Sequence, residues 1–524
     1  MKQYSLSAEG LLSTTKQTFA QINKSDKSNS STKSVMDISD CLMSALAVFS
    51  LKFPSLLKFD TEHKQDPILK HNLQTLYKLK QIPSDTYMRE RLDEVKPSDI
   101  RKVFKQLFAK VQRGKLLEPF KYLNDSYLMP IDGTGFFASN AIHCANCCVK
   151  EHNKCHLKIV DKYPDEGEYR KNTYYLMENS GWSGRRLFFV NSSREMCEYK
   201  ITDIPGLESV ISHIDIYNTH QCRKGDILKV LSEHYDANHK QETISYYHNM
   251  LCGAIVHPDM KTVLPFAPEP ILNTDGTKKN DSEHAAIKRF LADFRREHPH
   301  LKVIVIQDSI AANYPNLRSI GQANMNFIVG VKPGDHKSLF TLLENTECTE
   351  NSHTTDDGTK HSYRYLNEVS LNKSHPEFKV NFMEYHSESV KGKELHFCWV
   401  TDIEINNNNC YDIMRGGRAN WKIENNTFNT LKNQGYQFEH NFGHGYNNLS
   451  SVFGILMVLA FFIDQIQEQA CRVWKAARAV YTSRSGLFDK VRALFMGYLI
   501  NSWNDLYNAI SHGHSGATLA PNTS

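Results

Sequence analysis

The chain predicts a mixed α/β protein, a sheet flanked by helices, and three observations predict it. β-Branched and aromatic runs, of which Val303-Ile-Val-Ile306 is the clearest, recur through the middle of the chain and have the composition of buried strands. Before and between them, apolar residues recur at helical spacings, as at Val103, Phe104, Leu107 and Phe108, with the period of a helix buried on one face. The 524 residues are 40% hydrophobic, 11% aromatic and 23% charged, which suits a globular chain with ample core and excludes a collagen, a coiled coil or a mostly disordered protein. At roughly 100–200 residues per domain, two to four domains are expected.

The elements follow in order. Residues 1–35 are expected to be disordered, since Ser25 to Ser34 is low in complexity and offers nothing to bury. Residues 36–123 form a helical region. Val48, Leu51 and Leu57, then Leu73, Leu76, Tyr77 and Leu79, repeat at helical spacings, and Ser84-Asp85 and Pro97-Ser98-Asp99 each open a further helix. Tyr127-Leu-Met-Pro-Ile-Asp-Gly-Thr-Gly135 reads as a strand running into an acidic residue and a glycine turn. Ile244–His257, Val263–Ala267, Val303–Ile306 and Phe327–Val331 read as further strands, with a helix from Asp281 through Glu297 between them. Val380–Tyr385 and Leu395–Val400 look like a hairpin within a β-rich stretch, 345–405, and Tyr411 onward is helical through Leu431. Residues 157–240 break this rhythm with their own strand-like runs, Tyr174–Met177 and Leu187–Val190, and a helical segment, Asp226–Tyr235. They read as an inserted module. The core is thus expected over 124–156 and 241–450, followed by C-terminal helices over 451–511 and a disordered tail over 512–524.

Charge points to one region. The whole chain is nearly balanced at +4, but residues 1–120 hold 20 Lys and Arg against 13 Asp and Glu. Arg89, Arg91, Arg101, Lys102 and Lys105 fall in its last two helices, where they read equally well as a DNA-facing surface or a solvated helical face. No apolar segment near Met1 resembles a secretory signal. The longest apolar run, Val452 to Ile463, has twelve residues, against about 20 for a bilayer span. It reads as a buried helix, and no membrane partner is expected. The 12 Cys are irregularly spaced, so a reduced cytoplasmic setting is the expectation.

Three acidic residues stand out by placement. Asp132 ends the first strand, Asp308 ends Val303–Ile306, and Glu424 lies in the helical stretch Trp421-Lys-Ile-Glu-Asn-Asn-Thr-Phe428. Carboxylates at strand ends emerge at a sheet edge, where clefts form. Trp421, Glu424, Phe428 and Leu431 are spaced 3, 4 and 3 apart, so an α-helix would place them on one face. A carboxylate on a buried apolar face is costly unless paired or bound to metal. Three hard oxygen donors suit magnesium, and two ions about 4 Å apart can drive phosphodiester chemistry.

These stretches resemble bacterial insertion-sequence transposases of the DDE superfamily. The resemblance rests on Asp132-Gly-Thr-Gly, on Asp308 after its strand, and on Ile423-Glu-Asn-Asn-Thr-Phe-Asn-Thr-Leu-Lys-Asn-Gln-Gly-Tyr436. Phe438-Glu-His-Asn-Phe-Gly-His-Gly445, Lys278-Lys-Asn-Asp-Ser-Glu283 and Tyr87-Met-Arg-Glu-Arg-Leu-Asp-Glu94 extend it, so that it covers most of 80–156 and 241–510. It implies a ribonuclease H-like core, catalysis by Asp132, Asp308 and Glu424, Mg2+ as cofactor with Mn2+ as an alternative, and double-stranded DNA (terminal inverted repeats and target) as partner. It further implies cleavage at the element's ends and joining of 3′ hydroxyls to target DNA, a homodimer that pairs two ends, and association with the nucleoid. Arg418, Lys432, His440 and His444, around and after the Glu424 helix, join the basic N-terminal residues as expected DNA contacts. The alternatives are a metal-dependent nuclease without joining, or a decayed or domesticated DNA-binding protein. The chain departs from related families in carrying Asn420 where Arg is common, Ser282 where Cys is expected, and the 157–240 module between the first two strands.

His143-Cys-Ala-Asn-Cys-Cys148, followed by His152, Cys155 and His156, is dense in soft ligands. One Cys-x-x-Cys and nearby His can hold zinc, but the second half of a regular finger is missing. Ordinary reduced thiols are the expectation, and zinc is not. Asp132-Gly-Thr-Gly lacks the third glycine of a dinucleotide fingerprint, and no Walker sequence is present.

Overall fold

The structure, a computed structural model, describes residues 6–22, 36–152, 155–160, 169–177, 186–191, 193–212, 222–238, 243–273, 279–512 and 520–521. Ser25–Ser34 and most of the tail beyond 512 lie outside the described residues. The chain divides into two compact units. One comprises Met1–Ala138, His143–Cys148 and Tyr247–Ser524, the other Ser139–Ile142 and Val149–Tyr246.

Six helices lead: α1 (Ala8–Phe19), α2 (Ile38–Ser50), α3 (Leu56–Gln65), α4 (Pro67–Leu76), α5 (Asp85–Asp93) and α6 (Pro97–Arg113). Strands β1 (Tyr127–Ser139) and β2 (Cys148–His152) precede β3 (His156–Val160), β4 (Thr173–Met177), β5 (Arg186–Val190), β6 (Met196–Tyr199), α7 (Leu207–Ser212) and α8 (Cys222–Asn238). The chain returns through β7 (Thr243–Ile255), β8 (Leu264–Pro265), β9 (Glu269–Ile271), α9 (Lys279–Glu297), β10 (Val303–Gln307), α10 (Tyr314–Gln322), β11 (Asn326–Gly330) and α11 (Lys337–Glu344). Then come β12 (Thr349–Thr354), β13 (Lys360–Ser370), β14 (Lys379–Glu388), β15 (Glu394–Thr401), α12 (Cys410–Arg418), a π-helical turn Ile423–Phe428, α13 (Asn429–Asn433), α14 (Leu449–Ala470), α15 (Arg472–Ala479), α16 (Arg484–Gly497) and α17 (Trp503–His512).

The large sheet runs β12-β13-β14-β15-β11-β10-β1-β7-β2, with β8 and β9 paired to β7. β1, β10 and β11 are parallel. β7 lies antiparallel beside β1 through the Leu128–Val256 bridge, and β15 is antiparallel to β11. This is a ribonuclease H-like mixed sheet with helices on both faces. The β-rich stretch 345–405 extends one edge of that sheet, because β15 ladders directly onto β11. Side chains alternate along β1, so Leu128, Pro130 and Asp132 share one face and Ile131 the other. On the first face Gly416 of α12 packs against Leu128 and Ile328, and Gly454 of α14 against Met250 and Phe136. On the second, Phe290 of α9 lies against Gly253, close to Ile131.

The N-terminal helices, the sheet and the C-terminal helices share one continuous apolar core. Phe104 of α6 stacks on Phe462 of α14 at 5.9 Å, and Phe49 of α2 meets Phe453 edge-on at 5.7 Å. The expected disorder of 1–35 is corrected by α1, which is capped by Ser7 and buries Leu11, Leu12 and Phe19. Helix α14 is 22 residues long and apolar enough to cross a membrane, but Leu449 through Gln467 are all buried within the fold. The twelve-residue apolar run understated it, because Ser450, Ser451, Gln465 and Gln467 are buried as well.

The first turn of α14 is held from outside. The Asp93 carboxylate, at the end of α5, accepts the backbone N–H groups of Tyr446, Asn447, Asn448 and Leu449 at 2.9–3.1 Å. A helix leaves its first N–H groups without partners, and Asp93 takes those of the N-cap Asn448 and of Leu449 together with the two amides before them. Gly445 has φ +68 and a Cβ there would collide with Asp93 and Leu449, so the close approach needs glycine. Asp93→Ala should cost about 1–3 kcal/mol, the desolvation penalty of buried donors left unmatched. Denaturant unfolding checks this. A midpoint unchanged from wild type would show that water replaces the carboxylate.

The second unit has its own sheet, β3-β4-β5-β6, with β3 and β4 parallel and the rest antiparallel. Leu187–Val190 is a strand of this sheet, not of the large one. One face packs Tyr174, Leu176, Leu187 and Phe189 against Ile204, Leu207, Ile227 and Leu231 from the helical side. The other gathers Tyr175, Met177, Phe188 and Val190.

Candidate active site

β1 and β10 pair in parallel with Tyr127 opposite Val303 through Pro130 opposite Ile306. Continued by two residues, that register would bring Asp132 level with Asp308, on strands about 4.8 Å apart. β1 runs on to Ser139, so Asp132 lies within the strand and not at its end, because Gly133-Thr-Gly135 stays extended instead of turning. Asp308 keeps extended geometry, with φ −78 and ψ 179, as the chain leaves β10. Both residues are exposed. They line one small cavity of about 70 Å³ with Gly133, Glu283, His284 and Gln307.

Glu283 brings a further carboxylate to this cavity. A Cβ on Gly133 would sit 2.9 Å from Glu283 Oε1, so the glycine after Asp132 leaves room for it. Beside it His284 Nε2 lies 3.1 Å from Asn313 Nδ2, and the Asn313 side-chain oxygen caps α10. Sequence reasoning did not single out Glu283. Its only signal was its place in the Lys278–Glu283 stretch of the resemblance.

Glu424 is not among the residues lining this cavity. It lies past α12, the helix that covers the same sheet face, but its side chain is exposed rather than turned inward. The reason is local. Asn429 N–H bonds the Glu424 carbonyl five residues back, in a π turn, so the 3–4–3 spacing no longer marks one face. Phe428 and Leu431 are buried while Trp421 is half exposed. Such turns are frequent at functional sites. Flanking side chains anchor the segment, with Lys422 Nζ donating to Met260 O at 2.8 Å and Asn426 Nδ2 to Lys261 O at 2.6 Å.

The expected DNA contacts divide into three groups. Arg101 is 5% exposed. Its guanidinium takes both oxygens of Glu297, at 3.1 and 3.2 Å, and lies 3.3 Å from Asp293 and 3.5 Å from Glu269. It is a buried ion-pair centre and not a phosphate contact. Arg89 pairs with Asp85 and donates to the Phe442 carbonyl, fixing the loop before α14. Arg91, Lys102 and Lys432 pair with Glu94, Asp99 and Glu439 near the surface. Lys105, Arg418 and His440 are exposed, with Arg418 over the Phe397 ring. If Lys102 and Lys105 touch phosphates, charge removal should lower the salt dependence of DNA binding by about one unit of slope per contact. An unchanged slope would make them a solvated face.

His444 is buried at 5% exposure, which removes it from any DNA-facing loop. Instead Cys144, Cys147, His248 and His444 bring one ligand atom each within 4.8 Å of one another. The donor set is of a kind that can hold a metal ion, so these thiols sit in a four-residue cluster and not singly on a strand and turn. The second half of the Cys-x-x-Cys site lay far along the chain, in β7 and in the glycine loop before α14. Burial, and secondarily His444, lowers the His248 pKa to about 4, so its ring is neutral at physiological pH.

No protein-family model matches the chain, and no curated protein does. Among solved structures, a piggyBac transposase synaptic complex with hairpin DNA is similar, at 10% identity and a TM-score of 0.35, covering 98% of this chain and 81% of that one.

Proposed function

We propose that the chain is a DNA transposase that binds the terminal inverted repeats of its element, cleaves at the ends and joins the 3′ hydroxyls to target DNA. The observation that supports this reading is that Asp132, within β1, and Asp308, just past β10, line one cavity beside two parallel-paired strands. Asp132, Asp308 and Glu283 line the same cavity, and carboxylate oxygens are the hard donors that Mg2+ or Mn2+ takes. Bound there, such a metal would supply Lewis-acid stabilisation of the charge developing on phosphodiester oxygens. Asp132 and Asp308 serve as the fixed ligands, and Glu424 as the third carboxylate, from a helical segment anchored by Lys422 and Asn426. Water is the nucleophile in cleavage and the freed 3′ hydroxyl in joining. Lys105, Arg418 and His440 are the exposed candidates for backbone contacts. Pairing of two ends calls for a homodimer. Incubation of the chain with DNA carrying the inverted repeats that flank its gene, with and without Mg2+, tests the proposal. Metal-dependent nicking at the repeat boundary is expected, and its absence despite specific binding would favour a DNA-binding protein without catalysis.

A further inference from the structure

We propose that Cys144, Cys147, His248 and His444 form a structural zinc site that fixes the glycine loop before α14. The distances have the right pattern. Cys144 Sγ and Cys147 Sγ are 3.7 Å apart, each is 3.5 Å from His248 Nε2, and His444 Nδ1 lies 3.1 Å from both Cys147 Sγ and His248 Nε2. Zinc at 2.3 Å from sulfur and 2.0–2.1 Å from nitrogen, in a tetrahedron, requires edges of about 3.8 Å between sulfurs, about 3.6 Å from sulfur to nitrogen and about 3.3 Å between nitrogens. Four of the five edges lie within about 0.2 Å of these values, the Cys147–His444 edge is about 0.5 Å shorter, and all four ligand atoms lie within 4.8 Å of one another. Two sulfurs and two imidazoles in a tetrahedron suit zinc over magnesium or calcium.

The surroundings support the ligands. His248 Nδ1 lies 3.2 Å from Ser450 Oγ, which leaves Nε2 facing the cluster and fixes the ring, as outer partners of metal-bound histidines do. The Cys144 N–H points to Cys147 Sγ at 3.3 Å, and the Cys147 N–H closes the turn onto Cys144 O at 3.2 Å. Cys147, His248 and His444 are all buried. The thiols are not joined as a disulfide.

The three segments explain the consequence. Cys144 and Cys147 lie just after β1, His248 lies in β7, and His444 lies between Gly443 and Gly445. That loop is already held on its other side by Arg89 at Phe442 O and by Asp93 at the α14 amides. The metal is the second anchor, tying the loop to the sheet. It lies apart from the Asp132–Asp308 cavity, whose lining includes none of the four residues, and its readout does not depend on DNA cleavage.

The full-length chain, purified without added metal, should contain one zinc per chain by elemental analysis. Replacing zinc with Co2+ should give the visible bands of tetrahedral cobalt and a thiolate charge-transfer band. Cys144→Ser and His444→Ala should each lower zinc content and open the 438–448 loop to protease, whereas Cys197→Ser, an exposed thiol elsewhere, should leave both unchanged. Wild-type protein that carries no stoichiometric zinc and takes up no Co2+ with thiolate absorption would overturn the proposal, whatever the variants do. So would a Cys144–Cys147 disulfide in freshly reduced-lysate protein, or full zinc retained in the Cys144→Ser, Cys147→Ser double variant.

Discussion

Asp132→Ala and Asp308→Ala should each abolish metal-dependent cleavage of end DNA while leaving binding within a few-fold of wild type. The β1–β10 register, continued two residues beyond Pro130 and Ile306, would bring the two carboxylates to one level, Asp132 within β1 and Asp308 just past β10. Loss of either removes one of the two acids proposed as fixed metal ligands. DNA affinity comes chiefly from phosphate contacts by cations, and these carboxylates are not among them. The conservative variant Asp308→Asn keeps size and removes charge, so it should be equally inactive. Band-shift titration alongside a nicking assay checks both halves. Binding lost together with cleavage, in a normally folded variant, would mean that the acids organise the DNA surface rather than the chemistry. Glu424→Gln belongs in the same series. Cleavage that survives it, but not Glu283→Gln, would move the third role to the carboxylate already in the cavity.

Arg101→Ala should destabilise the first unit by about 3–5 kcal/mol, the cost of breaking a buried ion pair from one side. Glu297, Glu269 and Asp293 converge on this guanidinium with side-chain exposures of 13, 13 and 24%. Burial already lifts the Glu269 carboxyl above its usual range, against the lowering by Arg289 and Arg101. Without Arg101 those acids would face one another with less compensation. Arg101→Lys should recover only part of the loss, since an ammonium cannot make the two parallel bonds to Glu297. The salt dependence of DNA binding should stay at the wild-type slope in any fraction that folds. A stable Arg101→Ala protein with a flatter slope would return the residue to a phosphate contact.

What the sequence disclosed follows from where its signals are local. Val303–Ile306 is apolar at every position and became a central strand, and the acid at its end could be read as an edge residue. Asp132 and Asp308 line one cavity because β1 and β10 pair in parallel. The inward facing expected of Glu424 failed because a π turn adds a residue to the spacing, which no periodicity over Trp421–Leu431 reveals. Arg101 counted as a basic surface residue because its three acids lie in the β9–α9 region, more than 160 positions away by the separation of Arg101 and Ala267. The Cys/His cluster was half visible. Cys144 and Cys147 sit at ligand spacing, but His248 and His444 are brought in by β7 and by the loop that Asp93 and Arg89 hold. The α1 helix was hidden by the low-complexity stretch that follows it.

The most direct test of the central claim supplies pre-cut end DNA bearing a free 3′ hydroxyl, a target plasmid and Mg2+ to the wild-type chain and to Asp308→Ala. The account predicts plasmid-joined product with wild type alone, dependent on the metal. Joined product formed equally by Asp308→Ala, or none formed by a wild-type chain that binds the ends, would contradict it.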